Sequence, residues 1–198
     1  MGQDLLDHDE WGDEEEWRGP PTIFILIEVR GAAGEQLAEI QRRFDPKLAA
    51  RSRPHLTLTG SSGVGAVPGS IPVELLAKAL EPVAATTRPF EAKFGPAERF
   101  MQTNTVVLPL DPHGPVRDLH DRVARSGLPF GPAKFTFTPH VTLNYFATLT
   151  KDAMEQLLRT RIDEPLRVDH LQCSLARDPE RPIVVFELPL LGSFHPGR

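Results

Sequence analysis

A chain of 198 residues with 40% hydrophobic and 25% charged side chains is long enough to bury a core, carries no apolar run of membrane-spanning length, and begins acidic where an export signal would be basic and then apolar. Its single cysteine, Cys173, excludes an internal disulfide and a cysteine-rich metal site, so a soluble, cytoplasmic, monomeric protein is expected. The net charge of −5 is unevenly placed, because residues 1–20 hold eight acids against Arg18 for a local −7 and leave the rest of the chain at +2.

In chain order, residues 1–20 read as an acidic, disordered tail interrupted by Trp11 and Trp17. TIFILIEVR from Thr22 reads as a strand, a helical stretch runs from about Glu35 to Leu48, and PHLTLTG begins a second strand. GSSGVGAVPG, from Gly60 to Gly69, lacks the ending of a phosphate-binding loop and reads as a mobile connection that could serve as a lid. IPVELLAKALEP, from Ile71 to Pro82, predicts a short helix, and PFEAKFGPAERF from Pro89 a strand bent at Gly95-Pro96. The pattern then restarts with a strand, NTVVLPLD from Asn104, an amphipathic helix from Val116 stopped by Gly127, and a strand at PHVTL. TKDAMEQLLRTRI predicts a last helix capped by Thr150, before two strands in LRVDHLQCSLA and PIVVFELPLL.

The pentapeptide Pro-His-x-Thr-Leu thus stands at Pro54 to Leu58 and again at Pro139 to Leu143, each time on a strand that follows a helix. Such an internal duplication predicts an α+β fold of two strand-helix-strand-helix-strand lobes, about 21–103 and 104–198 within a domain spanning 21–198. Antiparallel-rich sheets would face a central cleft about a pseudo-twofold axis, bringing the equivalent strands face to face. Side chains alternate along a strand, so His55, Thr57 and Thr59 share one face in the first copy, and Thr138, His140, Thr142 and Asn144 share one in the second. A lone histidine there would be a satisfied core residue. Recurrence with the same Pro before it and the same Thr two residues later argues for chemistry instead.

Two imidazoles suit in-line attack on phosphorus, where one group takes a proton from the nucleophile and another gives one to the departing oxygen. Threonine hydroxyls on the same face can donate to the non-bridging oxygens and stabilise their charge. No metal or other cofactor is called for, since neither motif has a neighbouring acid and Asp111, Asp118, Asp121, His113 and His120 read as a solvated helix face. Arg53 and Lys134, just before the motif histidines, are candidate substrate contacts. Phe94, Phe100, Phe130 and Phe135 read as core, whereas Phe146, on the His140 face, is a candidate platform for a base.

The paired motifs His55-Leu56-Thr57-Leu58 and His140-Val141-Thr142-Leu143 resemble those of the two-histidine phosphoesterase superfamily, specifically its 2′-5′ RNA ligase and cyclic phosphodiesterase members. The likeness covers about Thr22 to Leu190 and leaves out the tail. It implies catalytic His55 and His140, phosphate-binding Thr57 and Thr142, no metal, and a partner that is a nucleotide or RNA end bearing a cyclic or 2′-5′ phosphodiester. Hydrolysis of a 2′,3′-cyclic phosphate is the implied activity; ligation is the same chemistry with a ribose hydroxyl in place of water, and relatives also act on small cyclic substrates such as ADP-ribose cyclic phosphate. The alternatives are an RNA-end or nucleotide binding module without turnover, and an adaptor acting through the tryptophan-containing tail.

Overall fold

The computed structural model describes residues 20–60, 62–100, 103–177 and 180–192, so the tail expected at the N-terminus lies almost entirely outside the described residues. The chain folds as β1 (Thr22–Glu28), α1 (Gly31–Phe44), α2 (Pro46–Arg51), β2 (His55–Thr59), β3 (Val67–Pro68), α3 (Val73–Thr86), β4 (Phe90–Ala92), β5 (Glu98–Arg99), β6 (Val106–Pro109), α4 (Pro115–Ala124), β7 (His140–Asn144), α5 (Lys151–Leu158), β8 (Leu166–Val168), β9 (His170–Ala176) and β10 (Ile183–Pro189). It is an α+β protein with antiparallel sheets.

Several boundaries differ from expectation for local reasons. The helix expected over Glu35 to Leu48 breaks at Asp45, because a residue preceding proline is pushed out of the helical region; Asp45 sits at φ −143°, ψ 76° and its carboxylate caps α2 by accepting the Leu48 N–H at 2.9 Å. The helix expected to end at Pro82 runs four residues further. Burial of Val83 and Ala84 in the last turn, together with the Thr87 hydroxyl donating to the Val83 carbonyl at 2.6 Å, offsets the hydrogen bond that Pro82 cannot make. The strand at PFEAKFGPAERF is two strands in two sheets, since β4 pairs with β8 while β5 pairs with β6. LRVDHLQCSLA divides in the same way at Asp169.

Seven strands of the main sheet run in the order β10-β9-β1-β2-β7-β6-β5, and β3 pairs additionally with β1. The motif strands β2 and β7 are therefore side by side in one sheet rather than face to face, joined through the antiparallel rung Leu56 with Val141. Each is embedded identically by the strand that precedes it. Glu28 lies opposite His55 and Ile27 opposite Leu56, just as Pro109 lies opposite His140 and Leu108 opposite Val141. Backbone bonds from Val29 N–H to the Pro54 carbonyl (2.8 Å) and from Leu110 N–H to the Pro139 carbonyl (2.9 Å) complete the correspondence.

Leu56, Leu58, Val141 and Leu143 are fully buried on the helix-covered side of the sheet. The helices cross over: α1 packs against β7 and α4 against β2, so each half of the chain supplies the layer beneath the other half's motif. Removing one of these leucines to Ala would cost about 2–5 kcal/mol.

Candidate active site

The rung between Leu56 and Val141 fixes what emerges on the other side. Both side chains enter the core, so period-two alternation sends His55 and Thr57 from β2, and His140 and Thr142 from β7, to the opposite face together, where all four are half-buried. The polar stripe ends at the next position of each strand. Thr59 is buried with its hydroxyl accepting the Ile25 N–H at 3.0 Å, and buried Asn144 donates to the carbonyls of Asn104 (2.8 Å) and Ala147 (3.0 Å). These two hold the strand ends and are not presented to a ligand.

The two imidazoles are held in the same way. The His55 Nδ1 lies 2.8 Å from the Arg53 carbonyl and the His140 Nδ1 lies 2.7 Å from the Thr138 carbonyl. A carbonyl only accepts, so each Nδ1 carries the hydrogen and each Nε2 is left as the nitrogen that can take or give a proton. Burial lowers both histidines below their usual value, against the raising effect of those carbonyl bonds. Glu28 also favours the charged form of His55, while the charge of His55 adds to the lowering at His140. Phe100 meets His140 edge-on at 5.1 Å between ring centroids, an apolar neighbour that His55 does not share.

Supporting residues that the sequence did not single out come from the end of α1. Gln41, buried, donates from Nε2 to the Thr142 carbonyl at 2.7 Å. Asp45, also buried, accepts the amides of both Tyr145 and Phe146 at 2.7 Å through the carboxylate oxygen not used in capping α2. The turn leaving β7 is thereby tied to the helix preceding β2. A second tie joins the loop leaving β2 to the segment entering β7: Gly63 N–H donates to Phe135, Gly65 to Gly131 and Gly131 back to Ala66, each at 2.9–3.0 Å. The glycine-rich stretch expected as a mobile connection and possible lid is thus held at Gly63, Gly65 and Ala66, and the close backbone approach of Gly65 to Gly131 leaves no room for a side chain.

A cleft of about 780 Å³ opens beside the motif. His55, Thr57, Phe24, Leu26, Glu28, Gln172 and Ser174 form its floor on the sheet, and α2 with Tyr145 and Phe146 forms a wall. His140 and Thr142 belong to the adjoining strand and do not line this cleft. Arg53 lies at the rim, paired with Glu28 at 3.1 Å. Lys134 is exposed and outside the lining. Phe146 is in the wall, its ring under Lys47 (4.6 Å) and Arg51 (5.4 Å).

Two sequence readings are corrected. Phe135, expected in the core, is 68% exposed, and the core aromatic of that segment is Phe137. His120, expected at the surface, is buried and stacked on Phe137 at 3.9 Å, with Nδ1 bonded to Asp121 at 2.8 Å; it fills the space that Gly63 leaves empty. Burial lowers its pKa as well. Among the described residues no group of three or more His, Cys, Asp and Glu side chains could hold a metal ion, and no helix is long and apolar enough to cross a membrane. Cys173 is buried, which pushes its thiol up to about 12 and leaves it inert as a nucleophile.

Residues 29–178 match the family model of the 2′-5′ RNA ligase superfamily, a span that contains both motifs. The chain belongs to the 2′-5′ RNA ligase superfamily. Its enzymes work on phosphodiesters. Among solved structures the protein is similar to TT0787 of Thermus thermophilus (18% identity, TM-score 0.62, 87% of this chain and 100% of that one). It is also similar to E. coli LigT complexed with phosphate (15%, 0.52, 86% and 98%) and with 3′-AMP (18%, 0.50, 87% and 99%). At these identities the likeness speaks for the fold. No curated protein matches the sequence.

Proposed function

We propose that this member of the 2′-5′ RNA ligase superfamily opens 2′,3′-cyclic phosphates of RNA ends or nucleotides to monoesters without a metal ion. The observation that carries the reading is the matched pair of imidazoles, each with Nδ1 committed to a backbone carbonyl and Nε2 uncommitted on the same sheet face. One neutral Nε2 takes a proton from water as its oxygen forms the new bond to phosphorus. The opposite, protonated Nε2 gives its proton to the ribose oxygen as the bond from that oxygen to phosphorus breaks. The hydroxyls of Thr57 and Thr142, about 7 Å along each strand from the histidines, donate to the non-bridging oxygens. With a ribose hydroxyl in place of water the same steps join a 2′-5′ bond. The complexes of LigT with phosphate and with 3′-AMP support a nucleotide phosphate as the ligand class.

The test is product analysis after incubating the protein, with chelator present, with 2′,3′-cyclic mononucleotides and with short RNAs carrying a cyclic end. A monoester should form, and His55→Ala and His140→Ala should each lower turnover about a hundredfold or more. Thr57→Val and Thr142→Val should each cost about 2–4 kcal/mol of transition-state stabilisation. Turnover abolished by the chelator, or near-normal rates in either histidine variant, would refute the assignment.

A further inference from the structure

The cleft extends well beyond the phosphoryl chemistry, and its floor changes character away from the histidines. A rung of same-face neighbours crosses three strand boundaries, from Thr57 on β2 to Leu26 on β1, Gln172 on β9 and Glu187 on β10. With strands about 4.8 Å apart, Gln172 stands about 10 Å from Thr57. One rung further along, Ser174 lies opposite Phe24 on β1 and Val184 on β10. Gln172 and Ser174 are only 6% and 4% exposed, yet among the described residues neither side chain has a hydrogen-bond partner. Their polar atoms are not sealed in the core either: both residues line the cleft and present those atoms to it. With water as their only other partner, the amide and hydroxyl stand ready for a ligand that enters the cleft and bonds to them.

The chemistry of that ligand follows from its surroundings. Amide and hydroxyl each donate and accept, which matches an edge carrying both donors and acceptors and is indifferent to charge. The neighbouring carboxylates Glu28 and Glu187 are paired with Arg30 and Arg53, so the floor around the polar pair carries balanced charge, while Arg51 and Arg181 reach the cleft from α2 and from the loop before β10. Apolar Phe24 and Leu26 line the cleft beside the polar pair. We propose that Gln172 and Ser174 form a nucleobase-reading subsite, set one ribose away from the phosphate held between the motif strands. The proposal rests on the phosphoryl site described above and adds which side chains discriminate the base.

Two measurements on wild type, Gln172→Ala, Ser174→Ala and the double variant test it. The first compares kcat and KM for the four nucleoside 2′,3′-cyclic phosphates with those for a base-free ribose 2,3-cyclic phosphate. The second titrates nucleoside 3′-monophosphates and inorganic phosphate by calorimetry. Wild type should prefer at least one nucleoside over the base-free compound through KM, and the variants should lower that preference about fivefold to tenfold per lost hydrogen bond. The ratio of nucleotide to phosphate affinity should fall in parallel. If the ratios are the same in all four proteins while phosphate still binds, the base-reading subsite is wrong and the phosphoryl site stands. If wild type neither binds phosphate nor turns over any cyclic substrate, it is the phosphoryl site itself that fails.

Discussion

The carbonyls of Arg53 and Thr138 decide which imidazole nitrogen can react, and burial decides at what pH it does so. In the free enzyme both histidines titrate below their usual value. The limb that requires a neutral base and the limb that requires a protonated acid therefore both move downward, and kcat/KM should peak on the acidic side of neutrality. The single negative charge of a bound cyclic phosphate favours the imidazolium, so the profile of kcat should lie at higher pH than that of kcat/KM; coincident profiles centred above neutrality would contradict the burial argument. Asp45 belongs to the same scale. Asp45→Asn places amide hydrogens or a single oxygen where the carboxylate now accepts four backbone N–H groups, and should cost about 2–3 kcal/mol in denaturant unfolding while raising KM through displacement of Tyr145 and Phe146. That His55, Thr57, His140 and Thr142 pair off on one face of their strands was legible because the pentapeptide repeats. Gln41 and Asp45 were not, since in sequence they are ordinary polar residues at a helix end and their partners lie about a hundred positions away.

At the scale of elements, the glycine-rich loop shows why a composition can mislead. Glycine promises freedom, yet Gly63 is used for its positive φ of 74° and for the absence of a Cβ, which would stand 2.1 Å from the His120 Nε2 and 2.9 Å from the Phe137 Cβ. Gly63→Ala should destabilise by about 1–3 kcal/mol and disturb the segment that delivers His140, lowering turnover more than the stability loss alone explains. An unchanged melting temperature in thermal unfolding would show that the loop is as loose as its composition suggests. The helix expected to run on to Leu48 is broken at Asp45 by the proline that follows it, whereas the Thr150 cap could be read from its hydroxyl. Continuation of α3 through Pro82 could not, because the compensation comes from packing of Val83 and Ala84. Splitting of PFEAKFGPAERF and LRVDHLQCSLA between two sheets was equally hidden, as both halves of each segment mix apolar and polar residues in the same way.

For the whole molecule, the charge division is the feature with the widest reach. Residues 1–18 carry seven net negative charges, and the chain enters β1 at Thr22, directly opposite the cleft-lining Ala176. Deleting Met1 to Arg18 should lower the apparent KM for an RNA oligomer at low salt, with the difference closing as ionic strength rises; equal KM values for both proteins at low salt would dissociate the tail from the cleft. The α+β class was legible from the order of elements, whereas the edge-to-edge joining of β2 and β7 was not, since strand order leaves no mark on local pattern. The crossing of the helices beneath those strands bears on how the chain could be divided. With α1 under β7, α4 under β2, and Gln41 and Asp45 bonded across the midline, neither half retains a covered motif strand when separated from the other. Fragments cut between Phe94 and Asn104 would therefore be silent alone and active only when brought together, which makes this fold a natural reporter of proximity between two fused partners.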